Sequence, residues 1–231
     1  MAAAFEGFIL AMESIQRLYH TTGTALTVMS SLTTGKFMVQ AGPYSMVDVA
    51  RTESESGTPL LNRVFVVFFW SALEVLVEDL VTAWILCHPG SLELEEIKDV
   101  KLAVREMLML DEEDRARYLI QEVSRKVRSP LKSGVDKFES LLNAFGLSRQ
   151  IDPDLRRTLY ELSHLRSVLL HKNAKADRKF VEACPWMGYE SGQPIQIPSE
   201  HFDRYYHAVI DYSIGLLDRF QVGAKAVAPQ C

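Results

Sequence analysis

The amino-acid sequence predicts an all-α fold, in one domain built on antiparallel helices. Apolar side chains recur every three or four residues through most of the 231-residue chain, which is the spacing of amphipathic helices. Hydrophobic residues make up 48% of the chain and charged residues 24%, proportions typical of a soluble globular protein. The sequence contains no internal repeat and no low-complexity tract. We therefore expect a single domain over residues 1–231, long enough to bury a sizeable core.

Two long helices separated by a connection are predicted in the N-terminal half. The first covers about residues 3–32, where the stretch AAAFEGFILAMESIQRLYH has apolar residues at helical spacing. Residues 34–59 hold several glycines and prolines and the polar run RTESES, which is typical of a long connection. The second helix covers about residues 60–86 and ends at the sequence HPG. We expect the core of the domain within about residues 60–220, followed by a tail at 221–231.

Five further helices are predicted from about residue 91 onward. Asp152 followed by Pro153 is a strong helix start, and Ser91 and Ser199 are candidate N-caps of two others. The sequence RSPLKSG interrupts the chain, and residues 175–198 look irregular, with a small hairpin around YESGQPIQI. The predicted helices cover about residues 91–109, 111–127, 135–145, 153 to about 170 and 199–220. We expect the acidic helix at 91–109 and the basic hairpin region to be insertions on a four-helix core.

The most apolar run, from Val64 to Cys87, is long enough to span a bilayer, but we expect it to be a buried helix. It contains Glu74, Glu78 and Asp79. Each of these acids would cost about 2.5–3.5 kcal/mol near the centre of a bilayer. The N-terminus is acidic and has no basic segment, so neither a secretory signal nor a membrane partner is expected.

The cysteines and the absent motifs narrow the chemistry. Cys87, Cys184 and Cys231 are odd in number and far apart, which favours a reduced compartment over a disulfide framework or a zinc site. Cys184 is expected to be a buried structural thiol. The sequence has no Gly-rich phosphate loop, dinucleotide fingerprint, HExxH or CxxC. We therefore expect a cytoplasmic protein without cofactor or metal.

The net charge of −5 hides a basic segment. Residues 125–179 contain 13 Lys/Arg and 6 Asp/Glu, whereas the rest of the chain is strongly acidic. Such a segment is typical of a protein that binds a phosphate-bearing partner. The alternative is that these cations merely solvate helix faces, and charge alone favours this second interpretation.

One arginine interrupts an apolar stripe of the helix that starts at Pro153. A guanidinium stays charged in proteins, so Arg166 needs an anion if it faces the core. Glu74 and Glu78, which break the other apolar helix, are the candidate partners. At 3.6 residues per turn the stripe consists of Leu155, Leu159, Leu162, Arg166, Leu169 and Asn173.

His171 follows Arg166 by five residues and lies about 140° around the helix from it. Either the helix ends or distorts near Leu170, or the two side chains converge through a second subunit. A spacing of this kind is weak on its own, and Arg157 with His164 gives a second, looser match. The simpler alternative is a helix-terminal histidine beside a salt-bridged arginine.

The surrounding sequence resembles the motif region of HEPN domains, the "higher eukaryotes and prokaryotes nucleotide-binding" family. That family carries Arg-x(4–6)-His at the end of a core helix, and this chain has ELSHLRSVLLH followed by a polar turn and a Tyr-rich final helix. Glu74 within an earlier apolar helix also suits the pattern. The resemblance covers about residues 60–87 and 134–220. Ser167 stands where Asn or a larger polar residue is usual, and Asn173 stands where one toxin subgroup has a tyrosine.

The resemblance implies a HEPN-like antiparallel helix bundle with extra helices and a long irregular segment before the last helix. It further implies a homodimer that brings two motifs into one cleft, and a metal-independent endoribonuclease that acts as a toxin or phage-defence effector. His171 would exchange protons with the ribose 2′-OH or the leaving oxygen, and Arg166 would stabilise charge on the phosphate. The expected partners are RNA, a second copy and an antitoxin or other protein. Supporting roles would fall to Glu74, Glu78, Ser167 and Asn173, and RNA binding to Lys172, Lys175, Arg178 and Lys179.

Two other functions stay open. A HEPN-like module could dimerise or bind a nucleotide or protein without cleaving RNA, and a purely structural helical scaffold is the third alternative. A ribonuclease requires both motif side chains to reach one solvent-accessible, electropositive cleft. A scaffold would bury Arg166 in ion pairs and leave His171 isolated on the surface.

Overall fold

The all-α prediction is confirmed by the computed structural model, which describes residues 1–31, 40–41, 44–127 and 133–227. Two strands of two residues each, β1 (Gln40–Ala41) and β2 (Tyr44–Ser45), pair antiparallel. The ten α-helices in these ranges are α1 (Ala2–Ser31), α2 (Met46–Glu55), α3 (Pro59–Cys87), α4 (Glu95–Lys98), α5 (Val104–Met109), α6 (Glu112–Val127), α7 (Val135–Ala144), α8 (Pro153–His171), α9 (Arg178–Ala183) and α10 (Ser199–Val227).

The long helices lie where the sequence predicts them, but the predicted connection at 34–59 contains α2. This helix buries Val47 and Ala50, and residues 51–55 of the polar run RTESES form its C-terminal half with exposed or partly exposed side chains. A polar run therefore belongs to an amphipathic helix here and not to a loop. The expected tail is also partly wrong, because α10 continues to Val227. Cys231, residues 34–39 and 42–43 of the expected connection and residues 128–132 of the RSPLKSG break lie outside the described residues.

The single acidic helix predicted at 91–109 is wrong. The chain forms a 3-10 turn at 89–93, then α4, an extended stretch and α5. Ser91 does not cap a helix, because its hydroxyl is buried and makes no hydrogen bond within the described part of the chain. Ile97 is the buried residue of α4, whereas Leu108 and Met109 of α5 are largely exposed. The segment has too few buried side chains in a row to sustain one long helix.

The central helix of the fold is α3, which packs against α1, α6, α8 and α10. Its buried side chains follow one another along nearly the whole helix, with Leu73 and Leu80 fully excluded from solvent. They belong to one connected hydrophobic cluster that extends from Phe8 in α1 to Phe220 in α10. Within the described residues, no helix is both long and apolar enough to cross a membrane.

The limits of α8 follow from its terminal residues. The Asp152 carboxylate accepts hydrogen bonds from the backbone N–H groups of Asp154 and Leu155, both at 3.0 Å, and Pro153 occupies the first helical position. At the other end, Asn173 and Ala174 adopt left-handed conformations with φ of 51° and 55°. Asn tolerates this conformation, so the helix stops at His171.

The segment between α8 and α10 is more ordered than expected, and the predicted hairpin around YESGQPIQI is wrong. It contains α9 and a 3-10 turn at 185–187. Residues 192–195 pair across to 174–176: the Ala176 N–H donates to the Gln193 carbonyl at 2.8 Å, and the Ile195 N–H donates to the Ala174 carbonyl at 2.8 Å. The partner of this stretch is therefore the turn after α8, to which it is tied directly.

Two ion pairs fix the direction of α8 relative to α10. Arg149, just before α8, lies 3.1 Å from Asp218, whereas Glu161, in the middle of α8, pairs with Arg204. As residue numbers rise along α8 they fall along α10, so the two helices are antiparallel. The C-terminal turn of α8 consequently lies at the N-terminal end of α10.

Candidate functional site

Arg166 lies at the edge of the buried face of α8 and not within it. The fully buried residues of this helix include Leu159, Leu162 and Leu165. The centre of the buried face is therefore rotated away from the apolar stripe that the sequence predicts. Leu155 and Leu169 are only partly buried, and Asn173 is exposed beyond the end of the helix. The Arg166 side chain retains 31% of its exposure, so its guanidinium contacts both the protein and solvent.

Glu74 of α3 is the carboxylate partner that the sequence predicts for Arg166. Arg166 Nη2 donates to Glu74 Oε2 at 3.4 Å, and Lys137 Nζ of α7 donates to Glu74 Oε1 at 2.9 Å. Arg166 Nε is buried and has no acceptor within the described residues. Two cations share one carboxylate, so the cluster is electropositive, and the solvent-exposed part of the Arg166 guanidinium has N–H groups left for another anion.

Glu78, the other candidate partner, belongs to a separate ion-pair cluster. Arg117 of α6 lies 3.5 Å from Glu78, 2.7 Å from Asp79 and 2.9 Å from Glu113. Its hydrogen bonds to Asp79 and Glu113 raise the pKa of Arg117 above its ordinary value. Glu78 therefore helps to join α3 to α6 and forms no ion pair with Arg166 within the described residues.

His171 is the last residue of α8, as expected, and its side chain is exposed. It makes no hydrogen bond or ion pair with another residue in the described ranges. Ser167 is exposed as well. The imidazole is therefore free to contact a ligand from solvent.

The part of the α8 surface between Arg166 and His171 is exposed to solvent. In one direction around the helix the residues between them are Ser167 and Leu170, both exposed. In the other direction lie Leu165 and Val168, both buried. The two motif side chains thus border one solvent-facing surface, about 140° wide, at the last turns of the helix.

The four predicted RNA-binding cations follow α8 on exposed positions, but two of them have acidic neighbours. Arg178 Nε donates to Glu182 at 2.7 Å, and Lys172 Nζ lies 4.0 Å from Asp177, the residue that caps α9. Lys175 and Lys179 are exposed without an ion pair within the described residues. Surface pairs of this kind are weak, so a polyanion could displace them.

A polar groove opens beside Glu74, between α3, α6 and α7. Its volume is about 380 Å³, and its polar lining includes Glu78, Gln121, Ser124 and Arg125. Lys137 lines it too and connects the groove to the Arg166 cluster through Glu74. The groove carries both signs of charge and is wide enough for a small polar group.

Glu161 forms a second cluster, which the sequence analysis missed. This carboxylate is only 1% exposed, yet it accepts hydrogen bonds from Trp186 Nε1 at 2.6 Å, from Tyr205 Oη at 3.2 Å and from Arg204 Nη2. Arg157 Nε lies 3.6 Å away. The available signal was an acid between Leu159 and Leu162 on an apolar helix, a position that requires buried donors.

Burial around Glu161 shifts the acid–base properties of its neighbours. Loss of solvent, followed by the nearby Glu161 charge, raises the pKa of the Cys184 thiol to about 12. The same two causes raise the pKa of Tyr205. Cys184 is buried, as predicted, and stays a neutral thiol. Burial also lowers the pKa of His164, and the Lys179 charge lowers it further.

In the described part of the chain, no group of three or more His, Cys, Asp or Glu side chains is arranged to hold a metal ion. Comparison of the chain with protein-family models, with curated protein sequences and with solved structures finds no match. The functional interpretation therefore depends on the geometry of these residues.

Proposed function

We propose that the protein is a metal-independent endoribonuclease of the HEPN type, with Arg166 and His171 as its reactive pair. One observation carries the proposal. The two side chains border the exposed face of the last turns of α8, with Arg166 anchored by Glu74 and His171 free of protein partners within the described residues. An anchored guanidinium and a free imidazole that border the same exposed helix face are suited to phosphate chemistry at neutral pH.

The reaction is a transesterification within the RNA strand. The ribose 2′-oxygen attacks the adjacent phosphorus as it loses its proton, and the bond from phosphorus to the 5′-oxygen of the next nucleotide breaks. The leaving 5′-oxygen takes up a proton, so the products are a 2′,3′-cyclic phosphate and a 5′-hydroxyl end. His171 transfers these protons, and Arg166 neutralises the charge that develops on the non-bridging oxygens.

The proposal includes a homodimer. The 2′-oxygen that loses a proton and the 5′-oxygen that gains one lie on opposite sides of the phosphorus. Two proton-transfer groups are therefore suited to the reaction, and each chain supplies one motif histidine. A second copy placed against the exposed end of α8 would add its own His171, and the two exposed faces would together enclose the cleft that the reaction needs. Leu170 is exposed on the face of α8 between Arg166 and His171, and such a copy could cover this apolar side chain. Sedimentation at micromolar concentration should give twice the 26.1 kDa mass of the chain; a single-chain mass would contradict the dimer.

The activity is tested with a labelled single-stranded RNA in excess EDTA. We expect cleavage, with 2′,3′-cyclic phosphate ends, of the all-ribose strand. The same strand with 2′-deoxyribose at the cleavage position should survive at that position, because it lacks the attacking hydroxyl. Cleavage of the deoxy position, or activity abolished by EDTA, would contradict the mechanism. Binding of RNA without cleavage would favour the non-catalytic interaction module.

A further inference from the structure

Trp186 is an exposed aromatic side chain that has no role in the proposed cleavage reaction. The chain has three tryptophans. Trp70 and Trp84 are 3% and 5% exposed, whereas Trp186 is 44% exposed. A large aromatic ring left in water gives up the free energy that its burial would supply, and such rings are enriched where a protein binds a partner.

A buried hydrogen-bond network holds the Trp186 ring in a fixed orientation. Trp186 Nε1 donates to Glu161 at 2.6 Å, and Glu161 is fixed in turn by Tyr205 and Arg204. This network fixes one edge of the indole, and 44% of the residue stays exposed to solvent. A ring in a fixed orientation loses little entropy when a ligand stacks on it.

A guanidinium adds a second flat surface. The Arg157 guanidinium carbon lies 4.5 Å from the centre of the Trp186 ring, and the Arg157 side chain is still 52% exposed. Arg157 is also 3.6 Å from Glu161, so the same carboxylate orients both flat groups. Stacked tryptophan and arginine side chains form the type of platform on which unpaired nucleobases bind.

The platform forms one wall of an open pocket of about 470 Å³. Tyr160, Ile151 and Pro153 supply further apolar lining. Gln150 and Ser133 add hydrogen-bonding groups at its rim, and Arg156 adds a cation that is paired with Asp136 at 2.6 Å. Flat apolar walls, a few polar groups and cations match a nucleobase with its phosphate.

The pocket lies on the same helix as the motif. Tyr160 and Arg157 precede His171 by 11 and 14 residues, or about 16–21 Å along α8. Ser163, which is partly exposed, and Ser167, which is exposed, lie on the exposed side of the helix between the pocket and His171. About five or six stacked nucleotides cover that length.

We propose that the Trp186–Arg157 pocket binds a nucleobase of the single-stranded RNA substrate, about five nucleotides from the scissile phosphate. This inference rests on the proposed function. The strand would lie along the exposed side of α8, with the motif at one end and the stacking pocket at the other. The pocket would add affinity and fix the position of the strand without touching the reacting atoms.

Tryptophan fluorescence gives a direct test, because Trp186 is the exposed one of the three. A 12-nucleotide single-stranded RNA is titrated into the His171→Ala chain, which is designed not to cleave it. We expect RNA to change the emission and to protect it from quenching by acrylamide. Trp186→Phe in the same background should abolish both changes, since Trp70 and Trp84 remain buried.

Affinity for the labelled 12-mer is measured in parallel. Loss of one stacked base typically lowers affinity about 5- to 100-fold, and we expect this for Trp186→Ala and Arg157→Gln. Arg17→Gln on α1 is the matched control, because it removes one exposed arginine elsewhere. Trp186→Phe, which retains a flat ring, should recover most of the affinity. Melting temperatures verify folding, and Arg157→Gln keeps the test valid if Trp186→Ala is unstable.

The outcomes separate this inference from the proposed activity. The stacking pocket would be overturned if RNA binding left the Trp186 emission unchanged, or if Arg157→Gln and Arg17→Gln bound RNA with equal affinity. Neither result would bear on the ribonuclease proposal, which is tested separately by cleavage with the wild-type chain. A free mononucleotide that quenches as strongly as the 12-mer would also overturn it, in favour of a small-molecule site. Quenching and affinity loss without any cleavage by wild type would support the pocket and contradict the ribonuclease.

Discussion

Replacing Glu74 by glutamine tests how Arg166 is held. The substitution keeps the shape of the side chain but removes the charge that faces Arg166 Nη2 at 3.4 Å and Lys137 Nζ at 2.9 Å. All three side chains are partly exposed, so water screens both ion pairs. Each pair is worth about 0.2–1 kcal/mol, so the two together contribute about 0.4–2 kcal/mol, with about 1 kcal/mol in the middle of that range. For a chain of this length, about 1 kcal/mol corresponds to a fall in melting temperature of about 2–4 °C.

Glu78→Gln is the matched control, one turn further along α3. It removes a single contact of 3.5 Å, and Arg117 keeps its shorter contacts with Asp79 and Glu113. The loss should stay below about 0.5 kcal/mol, or about 1 °C. Both variants and the wild-type chain are compared by calorimetry at one pH and salt concentration.

Activity should separate the two variants in the same way. Glu74→Gln releases the guanidinium from its anchor, and about 1 kcal/mol of lost positioning lowers kcat about fivefold with little change in KM. Glu78→Gln should match wild type within about twofold in both constants. Equal melting temperatures and equal kcat values for the two variants would refute the assignment of Glu74 as the residue that positions Arg166.

Three further predictions concern the buried titratable groups. Glu161→Ala leaves the buried Tyr205 hydroxyl without its acceptor and releases the half-exposed Trp186 and Arg204, so we expect about 1–3 kcal/mol of destabilisation and a melting temperature about 3–8 °C lower in a thermal scan. Cys184 should react with a thiol reagent only after unfolding, whereas the exposed Cys87 reacts at once; mass spectrometry of labelled peptides would distinguish them. Because the folded Cys184 thiol has a pKa raised to about 12, its contribution to stability is complete below the unfolded pKa and is lost as pH rises from about 9 to 12. His164 has a lowered pKa when folded, so stability should fall as pH drops below about 6.5, and His164→Gln should reduce that fall in urea titrations at pH 7 and pH 5.

Each of these three predictions has a contrary result. A Glu161→Ala melting temperature within about 2 °C of wild type would mean that the buried carboxylate is not the hub of the network. Rapid labelling of Cys184 in the folded chain would contradict its burial. If His164→Gln loses as much stability at acid pH as the wild-type chain does, groups other than His164 cause that loss.

The fold was predictable where the sequence carries long-range periodicity or strong caps. α3 has a nearly continuous apolar sequence, and α8 begins at Asp152 and Pro153, so both were placed closely. Three short helices were not predictable in this way, although the amphipathic α7, also short, was. α2, α5 and α9 each span ten residues or fewer, and helices of that length depend on tertiary packing more than on their own sequence.

The candidate site was predictable in its residue types but not in its geometry. A buried cation needs an anion, which pointed to Glu74 for Arg166, and the poor helical continuation after His171 indicated the end of α8. The stripe was rotated, because Leu165 and Val168 are buried and shift the contact face. Glu161 escaped prediction because its donors come from residues 25 to 44 positions away along the chain.

The most direct test of the central claim compares His171→Ala with His207→Ala in RNA cleavage with excess EDTA. Both replace an exposed histidine, but His207 lies on α10, outside the motif. Loss of one acid–base group typically lowers the rate about 10²–10⁴-fold, so His171→Ala should be nearly inactive while His207→Ala retains the wild-type rate within about twofold. Equal cleavage rates for the two variants would contradict the assignment of His171 as the proton-transfer group, and with it the proposed ribonuclease mechanism.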